Sequence, residues 1–369
     1  MKPIVIAFYL PQYHPIEENN NWFGEGFTEW TNVGKAKPLF KGHYQPRVPA
    51  DLGYYDLRIP EVREKQAELA KEAGVTAFCY YHYWFGNGHT IMERPLTEVI
   101  EYGKPDFPFC LCWANHNWAK KEWNPDTKSL RQEPLITMAY PGINDAIKMF
   151  NHLLPAFKDK RYLRIDGRLA YMILDVKKIS YFEEMKNVWN QLAKENGLPE
   201  FFFMSYTTNI ADFDDETIRK TDVVGLDLIR NIELKQNYSK RSLIFNYYRN
   251  KIGGILRIPQ FVFKYKDAMR YLLDKSCEDE NKVPVIVPNW DWSPRRGAGG
   301  LIFTDSTPSL FKQHVKQALE LIKRKPKNKQ ILILKSWNEW GEGNYMEPDL
   351  KFGKGYIQAL KEALEEADK

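Results

Sequence analysis

The chain has 369 residues, of which 43% are hydrophobic and 14% aromatic, enough for one large folded core. Lys and Arg outnumber Asp and Glu by only 53 to 48, a formal net charge of +5, which argues against nucleic acid as the partner. The first apolar run is too short for a signal peptide and no run reaches the roughly 18 uncharged residues of a membrane span, so we expect a soluble, cytoplasmic protein.

Eight apolar runs recur along the chain, bounded by Pro, Gly, Asn or Asp, which is typical of strands buried on both faces. The predicted strands are Ile4–Leu10, Thr76–His82, Phe107–Ala114, Arg168–Leu174, Phe201–Tyr206, Val223–Leu228, Val283–Trp290 and Ile331–Trp337. Segments with helical periodicity lie between most of them, and one follows the last: Pro60–Ala73, Ile91–Tyr102, Ile143–Phe157, Tyr181–Asn196, Ser309–Lys323 and Gly355–Ala367.

This alternation of strand and helix predicts an α/β fold, a (β/α)₈ TIM barrel that forms a single catalytic domain over residues 1–369. A doubly wound sheet is the weaker alternative, because no GxGxxG motif follows the first strand. The four cysteines are expected to be buried thiols rather than disulfides. Neither paired CxxC nor HxxxH spacings occur, so we expect no metal and no cofactor.

Two connections are too long to be ordinary loops: residues 14–59 after the first strand and the insertion 230–282 after the sixth. From Lys235 to Lys266 every charged residue is basic, and apolar side chains lie between the charges. One interpretation is a lid that packs on the barrel. The other is a peripheral membrane contact, or a site for the diphosphate of a lipid-linked glycan. Co-sedimentation with anionic and with neutral liposomes distinguishes them, since only the second interpretation requires a preference for anionic lipid.

In a TIM barrel the catalytic face is the C-terminal end of the strands, and here aromatic rings stand at these ends beside amides, histidines and carboxylates. The candidate substrate-binding residues are Tyr9, His82, Tyr83, Trp113, Asn115, His116, Asp175, Asn289, Trp290, Asn338 and Glu347. Such a set suits sugar rings, whose C–H faces stack on aromatic rings while their hydroxyls need fixed hydrogen-bond partners. For any one aromatic, a role in capping the barrel is the alternative. The two histidines are also open to a core or a metal-binding role.

The strongest signal is the segment Ser336-Trp337-Asn338-Glu339-Trp340-Gly341-Glu342-Gly343 after the last strand. Hydrolysis of a glycosidic bond needs one carboxylic acid to protonate the leaving oxygen and a second carboxylate as base or nucleophile. Glu339 and Glu342 supply both groups. The alternative is that both glutamates are solvated residues of a loop. We disfavour it because the neighbouring tryptophans crowd the two side chains, and an apolar wall would raise the pKa of one acid.

Three blocks give the chain a family resemblance over nearly its whole length. Ala7-Phe8-Tyr9-Leu10-Pro11-Gln12-Tyr13-His14 and Trp22-Phe23-Gly24-Glu25-Gly26-Phe27-Thr28-Glu29-Trp30 resemble WbsX-type proteins, which are related to glycoside hydrolase family 99. The terminal Asn338-Glu339-Trp340-Gly341-Glu342-Gly343 resembles the family 99 motif Asn-Glu-Trp-His-Glu-Gly, with Gly341 in place of the histidine.

The resemblance implies a retaining, endo-α-mannosidase-like enzyme. It implies that Glu339 deprotonates the sugar 2-hydroxyl, which attacks C1, and that Glu342 protonates the leaving oxygen. A carboxylate nucleophile is the other retaining scheme, and the sequence does not choose between them. The missing histidine weakens the inference of mannose specificity more than that of the acid pair.

We therefore predict a carbohydrate-active enzyme that cleaves or transfers at glycosidic bonds, with an oligosaccharide or lipid-linked glycan as substrate. WbsX-type proteins are associated with surface polysaccharide synthesis, so the first alternative is a glycosyltransferase of lipopolysaccharide, O-antigen or capsule biosynthesis. Asp212-Phe213-Asp214 resembles the DxD of nucleotide-sugar transferases, although such triplets are common. The second alternative is a glycan-binding barrel without catalytic activity.

Overall fold

A closed barrel of eight parallel strands forms the centre of the fold. The computed structural model describes residues 2–124, 129–230, 259 and 261–368. Each barrel strand pairs with the next one along the chain, and the last pairs with the first. The strands are β1 Ile4–Tyr9, β2 Ala77–Trp84, β3 Phe109–Trp113, β4 Arg168–Ile173, β5 Phe201–Thr207, β6 Val223–Leu226, β7 Lys282–Ile286 and β8 Ile331–Leu334.

Helices on the outside of the barrel connect the strands. They are α1 Pro60–Ala73, α2 Arg94–Glu101, α3 Ile143–Lys158, α4 Phe182–Glu195, α5 Glu216–Arg219, α6 Tyr265–Leu272, α7 Pro308–Ile322 and α8 Gly355–Ala367. The last helix packs between α1 and α7 and closes the outer ring. The predicted (β/α)₈ barrel is therefore confirmed, although α5 is only one turn long.

The loops add short elements of their own. The long loop after β1 contains the helices Glu17–Phe23 and Glu29–Lys35. Other loops contain the strand pairs Trp118–Asn124 with Ser129–Ile136, Phe261–Lys264 with Leu301–Thr304, and Asn338–Glu339 with Asn344–Tyr345, as well as the helix Ser293–Arg296. The strands Thr90–Ile91 and Arg164–Ile165 pair with β2 and β4.

The direction of side chains along each strand decides which residues face the barrel interior, since successive residues point to opposite faces. On β2, Tyr81 faces inward and its ring stacks on that of Phe8, with the ring centres 5.1 Å apart. The Tyr206 ring lies 5.4 Å from that of Phe8. His82 points outward, and its Nε2 lies 2.9 Å from the Tyr171 hydroxyl. Burial lowers the pKa of His82 to about 3, so its imidazole is neutral.

The core also contains a buried glycine of β6 and four buried cysteines. A Cβ at Gly225 of β6 would lie 2.5 Å from Cδ1 of Ile333, so a larger residue there would displace the Ile333 side chain of β8. All four cysteines are buried and unpaired, as predicted: Cys79, Cys110, Cys112 and Cys277.

The basic segment 235–266 lies largely outside the described residues, which resume at 259 and 261. Its interpretation as a lid or a membrane contact therefore stays a prediction. In the described parts of the chain, no helix combines the length and the apolar character needed to span a bilayer.

Candidate active site

The loop after β8 carries the two predicted acids. Glu339 and Glu342 are 7% and 8% exposed, and the turn Trp340–Glu342 joins them. The Asp291 backbone N–H donates to the Glu342 carbonyl oxygen at 2.7 Å, which ties this loop to the loop after β7. Gly343 has a φ of +59°, and a Cβ there would lie 2.6 Å from that of Asp291. Glycine is therefore required at this turn, which fixes the acids at the C-terminal end of the barrel.

One guanidinium bridges both acids. Arg295 lies on the helix Ser293–Arg296, and its Nη1 donates to Glu342 Oε1 at 2.6 Å and to Glu339 Oε1 at 3.3 Å. The Arg295 side chain is 23% exposed and the two carboxyl side chains are about half as exposed, so water screens these ion pairs less than it screens a surface pair. Because both oxygens contact the same nitrogen at these distances, they lie less than about 6 Å apart.

A third acid, Glu29, reaches the same guanidinium from the loop after β1. Its Oε2 accepts from Arg295 Nε at 3.1 Å, and its Oε1 accepts from Asn32 Nδ2 at 3.3 Å. A Cβ at Gly341 would lie 2.0 Å from Glu29 Oε2 and 2.9 Å from Arg295 Nε. The absence of a side chain at Gly341 therefore provides the space that the Glu29 carboxylate occupies.

We expect Gly341→Ala to push the Glu29 carboxylate away from Arg295 and to lower the free energy of unfolding by about 1–3 kcal/mol, as overpacking does. Urea denaturation measures this change. The control is Gly34→Ala, because Gly34 lies in a helix with open space around its Cβ position. There alanine should be neutral or stabilising by up to about 1 kcal/mol. Equal effects of the two substitutions would contradict the close packing at Gly341.

A second buried ion pair lies beside the acids. Lys335 follows β8, and its Nζ lies 2.7 Å from Oδ2 of Asp227, which also accepts from the Tyr206 hydroxyl at 2.7 Å. Although burial alone would lower it, the pKa of Lys335 is raised, because Asp227, Glu342 and Glu339 favour the charged ammonium. Lys335 is therefore a fixed positive charge next to the acid pair.

The protonation of Glu339 depends on burial and on its charged neighbours. Burial raises the pKa of Glu339 to about 8, and the negative charge of Glu342 contributes to this, while Arg295 and Lys335 act in the opposite direction. The protonated form of Glu339 is therefore favoured over that of an ordinary exposed glutamate.

The loop that carries Arg295 is fixed by a buried carboxylate, Asp291. Its Oδ2 lies 2.9 Å from His43 Nε2 and 3.4 Å from Arg47 Nη2, and its Oδ1 accepts from the Ser293 hydroxyl at 2.6 Å. Burial alone would raise the pKa of Asp291, but these neighbours lower it to about 2. Asp291 is therefore ionised at neutral pH and holds the start of the Arg295 helix.

Two predicted substrate-binding aromatic residues lie next to the charged residues around the acid pair. Burial raises the pKa of Tyr83, and the charges of Glu339 and Arg295 both act on its hydroxyl. The Trp290 ring lies under Lys335, with its centre 4.7 Å from Nζ. These aromatic rings give the acid pair apolar surfaces of the kind on which sugar rings stack.

His116 and Asp175 lie at the rim near Glu342. His116 is exposed at the rim, but the protein groups around its ring displace enough water to lower the pKa of its imidazole. Lys178 acts in the same direction, while Glu342 and Asp175 oppose it. Asp175 is paired with Lys178 at 3.3 Å.

Three other predicted residues, Tyr9, His82 and Trp113, point away from the acids. The Tyr9 hydroxyl donates to Gln66 Oε1 of α1 at 2.7 Å. The Trp113 Nε1 donates to the Trp84 carbonyl oxygen at 2.9 Å. These side chains are buried at the outer wall of the barrel, so we assign them no substrate contact.

The three predicted asparagines are buried, and two of them bridge neighbouring strand ends. Asn115 Nδ2 donates to the Asp175 carbonyl oxygen and its Oδ1 accepts from the Asp175 N–H, both at 2.8 Å. Asn338 Oδ1 accepts from the Leu10 N–H at 2.7 Å and its Nδ2 donates to the Leu10 carbonyl oxygen at 3.0 Å. Asn289 lines a separate small cavity beneath the loop after β1. These amides shape the rim, and the first two position the loops there.

Glu347 is buried behind the acid loop and bonded by protein groups. It accepts from Trp340 Nε1 and Gln66 Nε2 at 2.6 Å each, and from the Tyr55 hydroxyl at 2.9 Å. Burial raises the pKa of Glu347 to about 7, although these donors lower it. With only 2% of its surface exposed, Glu347 is placed to position Trp340 rather than to contact a substrate.

The two carboxylates of the DxD-like triplet have different partners. Asp212 Oδ1 lies 2.9 Å from Lys177 Nζ, and Asp214 Oδ1 lies 2.7 Å from Arg219 Nη2. Each carboxylate thus pairs with its own cation. Across the described residues, no group of three or more His, Cys, Asp or Glu side chains is arranged to hold a metal ion.

Three charged residues that surround the acid pair were not selected from the sequence: Glu29, Arg295 and Lys335. Glu29 lies in one of the blocks that carry the family resemblance, and Lys335 directly precedes the acid motif. The positions of these two residues in the sequence could therefore have indicated a role at the site. Nothing in the sequence distinguishes Arg295 from its neighbour Arg296.

The sequence comparisons match nearly the whole chain to one family. The sequence model of the glycosyltransferase WbsX family matches residues 5–360. Proteins called WxcX from two strains of Xanthomonas campestris pv. campestris are each 33% identical over 367 residues, covering 98% of this chain and 50% of the relative. The chain thus spans about half the length of these relatives.

Solved structures share the fold. The glycoside hydrolase family 99 endo-α-mannosidase from Bacteroides thetaiotaomicron has a TM-score of 0.60 at 14% identity, over 99% of this chain and 97% of that one. A glycoside hydrolase-like protein has a TM-score of 0.57 at 15% identity, over 98% and 94% of the two chains. At these identities the likeness concerns the fold alone.

Proposed function

The chain belongs to the glycosyltransferase WbsX family, and on that premise we propose that it is a carbohydrate-active enzyme that cleaves or transfers at glycosidic bonds. The observation that carries the proposal is the pair Glu339 and Glu342, buried on one turn at the C-terminal end of β8 and bridged by a single guanidinium. Two adjacent carboxyl groups at the catalytic face of a barrel are the equipment that glycosidic chemistry needs.

The spacing of the two acids supports a retaining mechanism. Their Arg295-bound oxygens lie less than about 6 Å apart, whereas inverting enzymes need about 6.5–9.5 Å between carboxyl groups to admit a water molecule. A retaining site forms an intermediate at C1 that either water or a sugar hydroxyl resolves. Hydrolysis and transfer are therefore open to the same two residues.

We propose an oligosaccharide or a lipid-linked glycan as the substrate, in surface polysaccharide metabolism, with endo-α-mannosidase-like cleavage as the first activity to test. The family's glycosyltransferase name supports transfer as the second candidate. Tyr81, Tyr83 and Trp290 supply aromatic surfaces for sugar rings beside the acids. The chain of 369 residues spans about half the length of the longer relatives.

Product analysis tests the proposal. The protein is incubated with free and lipid-linked oligosaccharides, α-mannan fragments among them, and the products are identified by mass spectrometry and by NMR of the new anomeric centre. We expect products with retained configuration, without added nucleotide and in the presence of a chelator. A requirement for a nucleotide-sugar donor would contradict the two-acid mechanism. Glycan binding without turnover in all these mixtures would favour the non-catalytic alternative.

A further inference from the structure

A row of aromatic rings leads outward from the acid pair. Tyr83 faces the acids, and the Trp118 ring meets the Tyr83 ring edge to face, with the ring centres 5.2 Å apart. The Trp22 ring lies 6.0 Å from that of Trp118, and the Phe23 ring lies 6.2 Å from that of Trp22. The four residues come from the end of β2 and from the loops after β1 and β3. The row therefore crosses the catalytic face over three neighbouring strands.

The outer part of this row is exposed to solvent. Tyr83 is only 3% exposed, Trp118 and Trp22 are half-buried, and Phe23 is 41% exposed. Single exposed aromatic residues are ordinary on a protein surface, but a contiguous run of them beside a candidate active site is typical of a binding surface. The row thus offers apolar ring surface that packing within the described chain leaves uncovered.

Side-chain hydrogen bonds fix the chain beside both tryptophans. Next to Trp22, Asn20 Oδ1 accepts from the Gly26 N–H at 2.9 Å. Beside the second tryptophan, Asn117 Oδ1 accepts from the Met138 N–H at 2.8 Å. A surface that is already fixed in the free protein loses little conformational freedom when a ligand binds, so more of the contact energy remains as affinity.

We propose that Trp22 and Trp118 bind sugar units outside the cleavage site. The substrate is then an oligosaccharide chain that extends from the acid pair across the loops after β3 and β1. The inference rests on the proposed function and adds the substrate class to it, an extended chain rather than a short glycoside. Tyr83 lies beside the acids, whereas Trp118 and Trp22 lie one and two rings farther out.

The chemistry of the indole ring suits this role. An indole presents a flat apolar face to the C–H groups of a sugar ring, and its N–H can donate to a sugar hydroxyl. Binding energy from units remote from the scissile bond can be used to orient the unit that reacts. Two indoles beyond the acid pair would therefore favour long chains over short ones.

Binding of oligosaccharides of increasing length tests the inference without turnover. The probes are linear α-mannan oligosaccharides of two to eight units, and calorimetry measures their affinity for the Glu342→Gln variant. We expect the affinity to rise with length. Addition of Trp22→Ala or Trp118→Ala should lower the affinity for the longest probes by about 10- to 100-fold and should leave that for the shortest nearly unchanged. No rise with length, or a rise that both alanine variants keep, would overturn the inference.

Control variants separate sugar binding from a structural role. Trp118→Phe keeps a flat ring and should keep most of the length dependence. Tyr102→Ala removes an aromatic side chain that is 61% exposed at the end of α2, at the opposite end of the barrel, and should leave every affinity unchanged. Equal losses for short and long probes in Trp118→Ala would mean that this tryptophan only supports Tyr83, and would overturn the inference.

Octyl glucoside, which carries an alkyl chain on a single sugar, tests for a different occupant of the row. If its binding depends on Trp22 and Trp118 while that of the oligosaccharides does not, the row holds a lipid tail and the inference is wrong. Because all binding is measured in a variant that lacks one acid, failure of this test leaves cleavage or transfer at the acid pair standing. Absence of turnover in the wild type leaves length-dependent binding intact.

Discussion

Glu339→Gln and Glu342→Gln are each expected to lower kcat by about 10²- to 10⁴-fold, because each removes one of the two groups that move protons at the glycosidic oxygen and at C1. Glutamine is close to glutamate in size and shape, so the buried turn should keep its structure. The measurement is the steady-state rate on whichever oligosaccharide gives product with the wild-type protein, with circular dichroism to show that each variant is folded.

The comparison of the two variants also tests the assignment of roles. Removal of the proton donor should lower the rate least on substrates whose leaving group needs no protonation, such as dinitrophenyl glycosides. If Glu342 is the donor, as the family 99 resemblance implies, Glu342→Gln should recover most of its rate on such a substrate and Glu339→Gln should not, and the reverse result would make Glu339 the donor. The surface variant Glu365→Gln is the control for the substitution itself. A loss of less than about tenfold in both acid variants would place the chemistry elsewhere.

The barrel could be predicted from the sequence because its strands are buried on both faces and therefore appear as continuous apolar runs. The residues at which the strands end could not be predicted as well. The runs predicted for β7 and β8 extend to Trp290 and Trp337, but the strands end at Ile286 and Leu334. The extra apolar residues leave the sheet and form the rim, and an apolar run by itself does not show where its hydrogen-bonded pairing stops.

Only part of the candidate site could be predicted from the sequence. Much of the difference between the predicted and the observed site residues arises because alternate side chains of a strand point to opposite faces. A position at the end of a strand does not show whether a side chain faces inward, and one residue of shift reverses the direction. Tyr83 faces the acids, but its neighbour His82 and the equivalent Trp113 face the helix layer. Arg295 could not be predicted, because its contact with the acids depends on three loops that are distant in sequence.

Substitution of Lys335, the buried cation beside the acids, is expected to have a large effect on stability. Lys335→Met is expected to lower the free energy of unfolding at pH 7 by about 3–5 kcal/mol, because it leaves the Asp227 carboxylate buried without its partner. Only 3% of the Asp227 side chain is exposed, so water cannot replace the ammonium. Urea denaturation at pH 7 measures the loss, and Lys312→Met, which removes a surface lysine paired with Glu362, should cost much less.

The pH dependence of that loss identifies its cause. Burial alone would raise the pKa of Asp227, but Lys335 and the hydrogen bonds of Ile229 and Tyr206 lower it. A carboxyl group with a lowered folded-state pKa contributes stability above its unfolded-state pKa of about 3.9, and this contribution disappears as the pH falls. The difference between wild type and Lys335→Met should therefore be largest at neutral pH and should shrink as the pH falls and Asp227 becomes neutral in the variant, which happens at a higher pH than in the wild type because Lys335 no longer lowers the pKa of Asp227. The double variant Lys335→Met/Asp227→Asn should recover part of the stability, since it leaves no unpaired charge. A loss independent of pH, with no recovery in the double variant, would show that Lys335 stabilises the rim through its contact with the Trp290 ring rather than through its ion pair with Asp227.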